Sequence, residues 1–299
     1  MAEENRSGAD ARPRRSCLYM PGTNSRAHEK ARELAADVVI FDLEDSVAPA
    51  AKAGARDQVV AAIAAGGFGR REIAIRVNAM GTPWAEDDLR AAAACQAGAV
   101  VLPKVSGPDD VRAAAELLDR EGAGAALWAM VESARAVLAA PEIAAAHGRL
   151  AMLTMGLEDL AKELKVEVDG ARTALLYALE RSVLAARAAG LGIIDAVYPA
   201  FNDDEGFAAA CAHGRMLGFD GKQVIHPRQV APANAAFGPD AERVAEARRI
   251  VDAFEAAAAQ GEHVAVLDGR MVEALHVEEA RRLLALDEAI AKLEDEAGR

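Results

Sequence analysis

Acidic and basic side chains follow a series of apolar runs along this 299-residue chain. In the segment VVIFDLEDSV, residues 38–47, an apolar run leads directly into Asp42, Glu44 and Asp45. Polar residues end the later runs in the same way, namely Arg76, Asn78, Lys104, Glu132, Glu158, Asp159, Tyr198 and His226. Crowded carboxylates repel one another unless a cation compensates their charge. The ends of these runs therefore predict a charged site that binds a cation.

A divalent metal ion is the simplest partner for this surplus of acids, because buried charges are costly unless they are paired or bound to metal. Carboxylates without cysteine or clustered histidine favour Mg²⁺, with Mn²⁺ as an alternative, over Zn²⁺. Mg²⁺ takes one or two protein carboxylates and leaves its other positions to water and substrate. We predict Glu132 and Asp159 as the ligands, although either acid alone could instead pair with a lysine or cap a helix.

The basic residues at the run ends have two interpretations each. Arg76 closes the run EIAIRV, where it could pair with Glu44 or Asp45, and it could also grip a substrate carboxylate with two hydrogen bonds. Lys104 in VVLPKV could form a Schiff base, but the many acids favour a neutralising partner. Earlier in the chain, Arg26 and Lys30 lie in a predicted helix start that could receive phosphate.

Eight short apolar runs must position these residues. The runs are continuous and not alternating, so they are expected to be buried on both faces of a parallel sheet. They span residues 17–20, 38–41, 73–77, 99–102, 126–131, 150–155, 193–198 and 223–225. Eight βα units predict an α/β fold, a (β/α)₈ TIM barrel with its chemistry at the carboxyl ends of the strands, in preference to a doubly wound open sheet.

Three regions follow from this pattern. We predict a flexible N-terminus over residues 1–14 and a catalytic barrel over residues 15–235. Residues 236–299 form a C-terminal helical arm, with a turn at Asp268-Gly269 and a final amphipathic helix. An apolar stripe beyond a complete barrel needs a surface to cover it, so we expect the arm to pack on a neighbouring subunit.

Composition narrows the class of protein. The net charge of −13 argues against general nucleic-acid binding but leaves room for an anionic substrate. Three scattered cysteines predict neither a disulfide framework nor a zinc site. No run approaches the roughly 18 apolar residues of a membrane span, and the first residues lack the apolar core of a secretory signal. We expect a cytoplasmic protein with no membrane partner.

With these residues in view, the chain resembles the citrate lyase β-subunit-like family of CoA-ester lyases. These are metal-dependent aldolases of the HpcH/HpaI type, and they include malyl-CoA and citramalyl-CoA lyases. The resemblance covers residues 15–284. The matching stretches, in order, are RRSCLYMPG, DVVIFDLEDSV, IRVN, VLPKV, MVES, GLEDL, GFDGKQVIHPRQV and LDGRMVE.

The resemblance implies a role for each matching residue. Glu132 and Asp159 would hold Mg²⁺, and Arg76 would bind the carboxylate of a small 2-oxo acid. Glu44 and Asp45 would order the arginine and the waters of the metal, whereas Asp42 is interpreted as structural. The residues implied to face a CoA thioester, besides Lys104, are Arg15, Arg26 and Lys30.

The resemblance also implies a trimer or a dimer of trimers, in which the arm covers the active site of a neighbour. The arm of the family usually ends its motif in an aspartate that acts as acid or base from the adjacent subunit. The matching residue here is Glu273, which is one methylene longer. A second departure is Ala136, where many relatives have glycine.

The expected reaction is Mg²⁺-dependent cleavage of a 3-hydroxy-3-carboxyacyl thioester to acetyl-CoA and glyoxylate, pyruvate or oxaloacetate, or the reverse condensation. Four competing hypotheses stay open. They are a Schiff-base aldolase on Lys104, a metal-dependent aldolase that does not use CoA, a malyl-CoA thioesterase, and a citrate lyase β subunit that acts on an acyl-carrier thioester within a complex.

Overall fold

The apolar runs form a closed parallel barrel in the computed structural model, which describes residues 12–297. The strands follow chain order around the barrel, and β8 pairs with β1 to close it. The strands are β1 Ser16–Pro21, β2 Val38–Asp42, β3 Glu72–Arg76, β4 Ala99–Leu102, β5 Ala126–Val131, β6 Leu150–Met155, β7 Gly192–Asp195 and β8 Gly221–Val224. The predicted (β/α)₈ fold is confirmed.

Helices connect successive strands and form the outer layer. The helices of this unit are α1 Ser25–Ala31, α2 Lys52–Ala64, α3 Ala85–Ala94, α4 Pro108–Arg120, α5 Ala134–Leu138, α6 Ala140–Ala144, α7 Leu157–Leu164, α8 Leu176–Ala188, α9 Asp204–Leu217 and α10 Val230–Phe237. Caps that are visible in the sequence fix some of their ends. Asn24 caps α1, because its side chain accepts the backbone N–H of Ala27 at 3.1 Å.

Two apolar cores hold the barrel together. The larger core lies between the strands and the helices, and the smaller one fills the barrel interior. Alternate residues of each strand point inward, so Cys17, Ile40, Trp128 and Met152 fill the interior. The interior side chains near the carboxyl ends are polar instead, and these side chains build the site.

Strand β7 is shorter than predicted. The sequence pattern extends it to residue 198, but the strand ends at Asp195. The Asp195 carboxylate is buried and accepts both the Lys222 ammonium at 2.8 Å and the Arg172 guanidinium at 2.6 Å. It also accepts the backbone N–H of Ala196, the first residue after the strand, at 2.8 Å. A polar anchor therefore ends an element that apolar content alone would continue.

The chain divides into two compact units between Phe237 and Gly238. The second unit contains helix α11 Ala241–Ala258, an antiparallel hairpin of β9 Ala265–Leu267 and β10 Arg270–Val272, and helix α12 Ala274–Ala297. Asp268 and Gly269 form the hairpin tip with positive φ angles of 49° and 76°. Packing of this unit on a neighbouring subunit stays a prediction. None of the helices in residues 12–297 has the length and apolar character to cross a membrane.

Candidate functional site

A charged cluster lies at the carboxyl ends of the strands. We call it the carboxyl-end cluster, and it consists of Asp42, Glu44, Asp45, Arg76, Lys104, Glu132 and Asp159. The barrel brings these residues together although 117 positions separate Asp42 from Asp159 in the sequence. Parallel strands all end on one side of a barrel, which is why residues that each follow a strand can meet.

Arg76 is held by Asp42 through a two-point ion pair. Strands β2 and β3 pair these residues directly in register. The Arg76 Nε donates to Asp42 Oδ1 and its Nη2 donates to Asp42 Oδ2, both at 2.7 Å. The guanidinium also lies over the Tyr19 ring, 5.0 Å from its centre. Burial acts to raise the pKa of Asp42, but the Arg76 hydrogen bonds outweigh it and the pKa is lowered.

This geometry gives Asp42 a larger role than predicted. Glu44 and Asp45 were expected to order the arginine, yet Asp42 makes the two shortest contacts. Glu44 Oε2 lies 3.2 Å from Arg76 Nη1, and Asp45 Oδ2 lies 3.7 Å from the same atom. Asp42 is therefore the main positioning residue for Arg76, and the other two acids face the free edge of the guanidinium.

Glu44 is buried, and its Oε2 accepts no hydrogen bond in the part of the chain that the structure describes, although it lies 3.2 Å from Arg76 Nη1. Burial, reinforced by the nearby Asp45 charge, raises the pKa of Glu44 to about 7. The Lys52 ammonium fixes the loop by donating to the backbone oxygens of Leu43 and Glu44, each at 2.9 Å. The fixed loop leaves the Glu44 oxygen available to a donor from substrate or water.

Lys104 lies among the acids of the cluster. Its ammonium donates to Asp159 and lies 3.7 Å from Glu132 Oε2 and 3.8 Å from Glu44 Oε1. Burial acts to lower the pKa of Lys104, but the Asp159 hydrogen bond and the surrounding acids outweigh it and raise the pKa. A Schiff-base lysine must reach its neutral form, so this environment favours the neutralising role.

The predicted metal ligands share one cation position. Glu132 is buried, and burial raises its pKa despite the opposing backbone N–H and ammonium of Lys104. Asp159 lies in the first turn of α7 and is partly exposed. Gly156 precedes that helix, and a Cβ at this position would lie 2.7 Å from Glu132 Oε2. Glycine is therefore needed for the carboxylate to occupy this place.

The residues present fit Mg²⁺. Within residues 12–297, no three His, Cys, Asp or Glu side chains form a complete metal cage. Two carboxylates that contact the same ammonium, one buried and one partly exposed, are instead the donor set that Mg²⁺ uses when substrate and water complete its coordination. The unmatched Glu44 oxygen nearby suits a water ligand of such an ion.

Arg15 does not reach this site. It precedes β1, at the opposite end of the barrel, where it is buried and pairs with Asp37 through Nε and Nη2, both at 2.9 Å. Its predicted contact with a CoA thioester is therefore not retained. Arg26 and Lys30 are exposed on α1, which follows the carboxyl end of β1, so their contact with CoA stays a prediction.

The remaining predicted residues lie elsewhere. Glu273 is exposed in the second unit, between β10 and α12, where its backbone N–H donates to His276 Nδ1 at 3.0 Å. Tyr198 donates to Asp203 at 2.6 Å. The His226 ring accepts the backbone N–H of Arg228, which is a structural role.

Two further polar residues below the cluster were not predicted. Tyr19 donates its hydroxyl to Gln223 Oε1 at 2.9 Å. The Gln223 amide in turn donates to the backbone oxygens of Met155 at 2.7 Å and Asp195 at 3.2 Å. These bonds join β1, β6, β7 and β8 under Arg76. The inward alternation of strand residues could have indicated both side chains.

Comparison with known proteins places this geometry in context. Residues 15–227 match the family model described as HpcH/HpaI aldolase/citrate lyase. The chain is 48% identical over 281 residues to (3S)-malyl-CoA thioesterase of Cereibacter sphaeroides, covering 94% of this chain and 97% of that protein. It is 38% identical to citrate lyase subunit beta of Escherichia coli (strain K12), covering 92% and 93%.

A solved structure shows the same similarity. CitE from Mycobacterium tuberculosis, in complex with magnesium, acetoacetate and coenzyme A, is 31% identical and has a TM-score of 0.71, with coverage of 91% of this chain and 97% of that one.

Proposed function

Because this chain belongs to the HpcH/HpaI aldolase/citrate lyase family, we propose that it is a Mg²⁺-dependent carbon–carbon lyase for a CoA thioester of the malyl-CoA type. The substrate is a 3-hydroxy-3-carboxyacyl thioester, and the products are acetyl-CoA and a 2-oxo acid such as glyoxylate, pyruvate or oxaloacetate. The observation that carries the proposal is one cation position shared by Glu132 and Asp159 within a cluster that also contains Arg76.

Arg76 binds the carboxylate that leaves with the 2-oxo acid. Its Nε and Nη2 are fixed by Asp42, so the guanidinium cannot turn. The Nη1 hydrogens and the outer Nη2 hydrogen point away from Asp42, and two parallel N–H donors match a carboxylate. A substrate carboxylate would share this edge with Glu44 Oε2, which lies 3.2 Å from Nη1. The buried Asp42 thereby orients the arginine before substrate binds, which lowers the entropic cost of binding.

Mg²⁺, held by Glu132 and Asp159, would supply Lewis-acid polarisation of the substrate oxygens. Support comes from the similar CitE structure, which contains magnesium together with acetoacetate and coenzyme A. Glu132 is rigid because its other oxygen accepts the Lys104 backbone N–H. Glu44 and Asp45 face the same space and order the remaining donors around the substrate.

A base must remove the hydroxyl proton as the carbon–carbon bond breaks, and the acetyl thioester fragment must then gain a proton at carbon. We assign the base to Glu273 of a neighbouring subunit, because it is an exposed carboxylate on the arm. In the reverse direction the same carboxylate would take a proton from the thioester's α-carbon. This assignment also requires the trimer or dimer of trimers that the family resemblance implies.

Hydrolysis of the thioester is the second candidate function. Its support is the 48% identity with a (3S)-malyl-CoA thioesterase, which extends over nearly the full length of both chains. The same grip on the malyl group would serve this reaction, but water would attack the thioester carbon. The two reactions differ in the bond that breaks, so their products separate them.

The test is incubation of the purified protein with malyl-CoA and Mg²⁺, with products identified by mass. Acetyl-CoA and glyoxylate in equal amounts support the lyase, whereas free CoA and malate support the thioesterase. Citramalyl-CoA tests the substrate range, with pyruvate as the expected oxo acid. EDTA should abolish either reaction.

Three competing activities would give different results in the same assays. A Schiff-base aldolase would resist EDTA and would be trapped by borohydride on Lys104. An aldolase that does not use CoA would cleave free hydroxy-oxo acids. A citrate lyase β subunit would be silent on CoA esters and would co-purify with partner subunits, and this outcome would contradict the proposal.

A further inference from the structure

The Lys104 ammonium contacts both carboxylates that we assign to Mg²⁺. It donates to Asp159 and lies 3.7 Å from Glu132 Oε2. Glu44 Oε1 at 3.8 Å and Asp45 Oδ2 at 3.9 Å complete a ring of four acids around one nitrogen. A cation of either kind, ammonium or metal, satisfies the same electrostatic demand, and two cations in one position would repel.

We propose that Lys104 is a built-in counterion that competes with the divalent metal for Glu132 and Asp159, and so sets the metal affinity of the site. This inference rests on the proposed function, because it takes these carboxylates as the metal ligands. Metal binding then requires the ammonium to leave Asp159. The lysine holds the acids together whenever the metal is absent and weakens metal binding by the same interaction.

The backbone of Lys104 suits such a movable side chain. The residue has a left-handed conformation with φ of 53°, and its N–H donates to Glu132 Oε1. This bond fixes the main chain beside a metal ligand, so a change of cation requires only the Lys104 side chain to move. The Lys104 side chain is 37% exposed, so the ammonium can exchange a carboxylate for water without crossing the core.

A purely supporting role makes the opposite prediction. If Lys104 only held the acids in the geometry that metal needs, its removal would weaken metal binding. If it were an ordinary exposed lysine, its removal would change metal binding no more than loss of any nearby positive charge. Competition alone predicts tighter binding together with lower stability without metal.

The experiment is calorimetric titration of MgCl₂ into EDTA-treated and dialysed full-length protein, without substrate. Lys104→Met should bind Mg²⁺ about five- to tenfold more tightly than the wild type, the change expected from removal of one partly exposed ion-pair network. Lys162→Met is the matched control. It removes the same charge from an exposed position three residues after Asp159 on α7, and it should change the Kd by less than about twofold because exposed charges are screened.

Thermal unfolding gives a second, independent measurement. Without metal, Lys104→Met should melt below the wild type, and saturating Mg²⁺ should raise its melting temperature by more than it raises that of the wild type, because a tighter ligand stabilises more. Lys104→Arg, which keeps the charge, should show the wild-type melting temperatures with and without Mg²⁺. It is the control for a folding defect caused by any substitution at this position.

Two results would overturn the inference. The first is that Lys104→Met binds Mg²⁺ with the same Kd as Lys162→Met, or more weakly than the wild type. This would reject competition by Lys104 but keep the assignment of the metal site. Failure of the wild type to bind Mg²⁺, or unchanged binding by Glu132→Gln, would overturn the metal assignment as well. The first result leaves the proposed function standing, whereas the second does not.

Discussion

The two ends of the barrel differ in how their buried charges are paired. At the amino end, Arg15 pairs with Asp37 and Arg14 pairs with Glu72, so each of these acids has a cation of its own. At the carboxyl end, the cluster contains five acids and two bases, and a buried oxygen of Glu44 accepts no hydrogen bond from residues 12–297. These buried acids at the amino end are each paired with a cation, whereas the carboxyl end has more acids than bases.

The difference separates stability from function. A buried ion pair lowers the cost of burying each charge, so it needs no further counterion. Burial, with a smaller contribution from the neighbouring acids, raises the pKa of Glu44 and Glu132, and the excess of acids leaves the set able to bind a further cation. Mutations at the two ends should therefore fail in different ways, and this can be measured.

Glu132→Gln should have the largest effect on activity. We expect malyl-CoA turnover to fall by about 10³-fold or more, because the group that fixes the metal is lost. The melting temperature without metal should stay the same or rise, because one acid of a repelling set becomes neutral. Assays of product formation and thermal unfolding in EDTA test both statements; a folding defect with normal turnover would contradict the comparison.

Asp37→Asn should give the reverse pattern at the amino end. It leaves the buried Arg15 guanidinium without its carboxylate partner, so the free energy of unfolding should fall by about 3–5 kcal/mol. The folded fraction should keep its KM for the thioester. Denaturant unfolding and steady-state kinetics measure the two quantities. A raised KM would instead return Arg15 to the thioester site.

Glu273→Gln tests whether the carboxyl end is completed by the arm of another subunit. Loss of a positioned base should lower kcat by about 10²-fold. Binding of glyoxylate or pyruvate, which rests on Arg76 and the metal, should change little. Glu278→Gln, an exposed acid of α12, is the matched control. Equal kcat values for the two variants would remove Glu273 as the base.

A smaller effect is expected at a third charged group, in which Asp195 accepts from Arg172 and Lys222. Arg172 also donates to His213. Burial, reinforced by the Arg172 charge and to a lesser degree by Lys222, lowers the pKa of His213, whereas Asp195 and Asp169 oppose this change. The unfolded chain then binds more protons than the folded chain as the pH falls below about 6.5. Stability from this histidine is present above that pH and is lost as the pH falls through the lower folded pKa.

His213→Asn keeps an acceptor for Arg172 but cannot take up a proton. The melting temperature of the wild type should therefore fall more steeply between about pH 7.5 and about pH 5.5 than that of the variant. If the melting temperatures of the two proteins fall equally with pH, protonation of His213 does not destabilise the folded chain.

Much of the barrel could be predicted because its strands are buried on both faces. The bounds of β4, β5 and β6 are identical to the predicted runs, since continuous apolar segments leave little choice. The positions of Glu132 and Asp159 followed from strand ends for the same reason.

The roles of Asp42 and Arg15 depend on information that runs across strands. Asp42 meets Arg76 through the register of two strands, which no single segment reveals. Arg15 precedes its strand, so the barrel rule already places it at the amino end; the resemblance to known sequences obscured this. The left-handed backbone of Lys104 is likewise set by its bond to Glu132 and not by any local preference of lysine.

The contact between Arg76 and Asp42 depends on the register of β2 against β3, so it indicates whether this part of the barrel has assembled correctly. Arg76 and Asp42 are opposite each other only when these strands pair as they do here, and a shift of one residue would turn one of the two side chains out of the barrel. The position of the arginine that we propose to bind substrate is therefore set by the same hydrogen-bond ladder that pairs β2 with β3. A chain that folds with these strands in a shifted register would lose the proposed carboxylate binding by Arg76 while it kept its secondary structure.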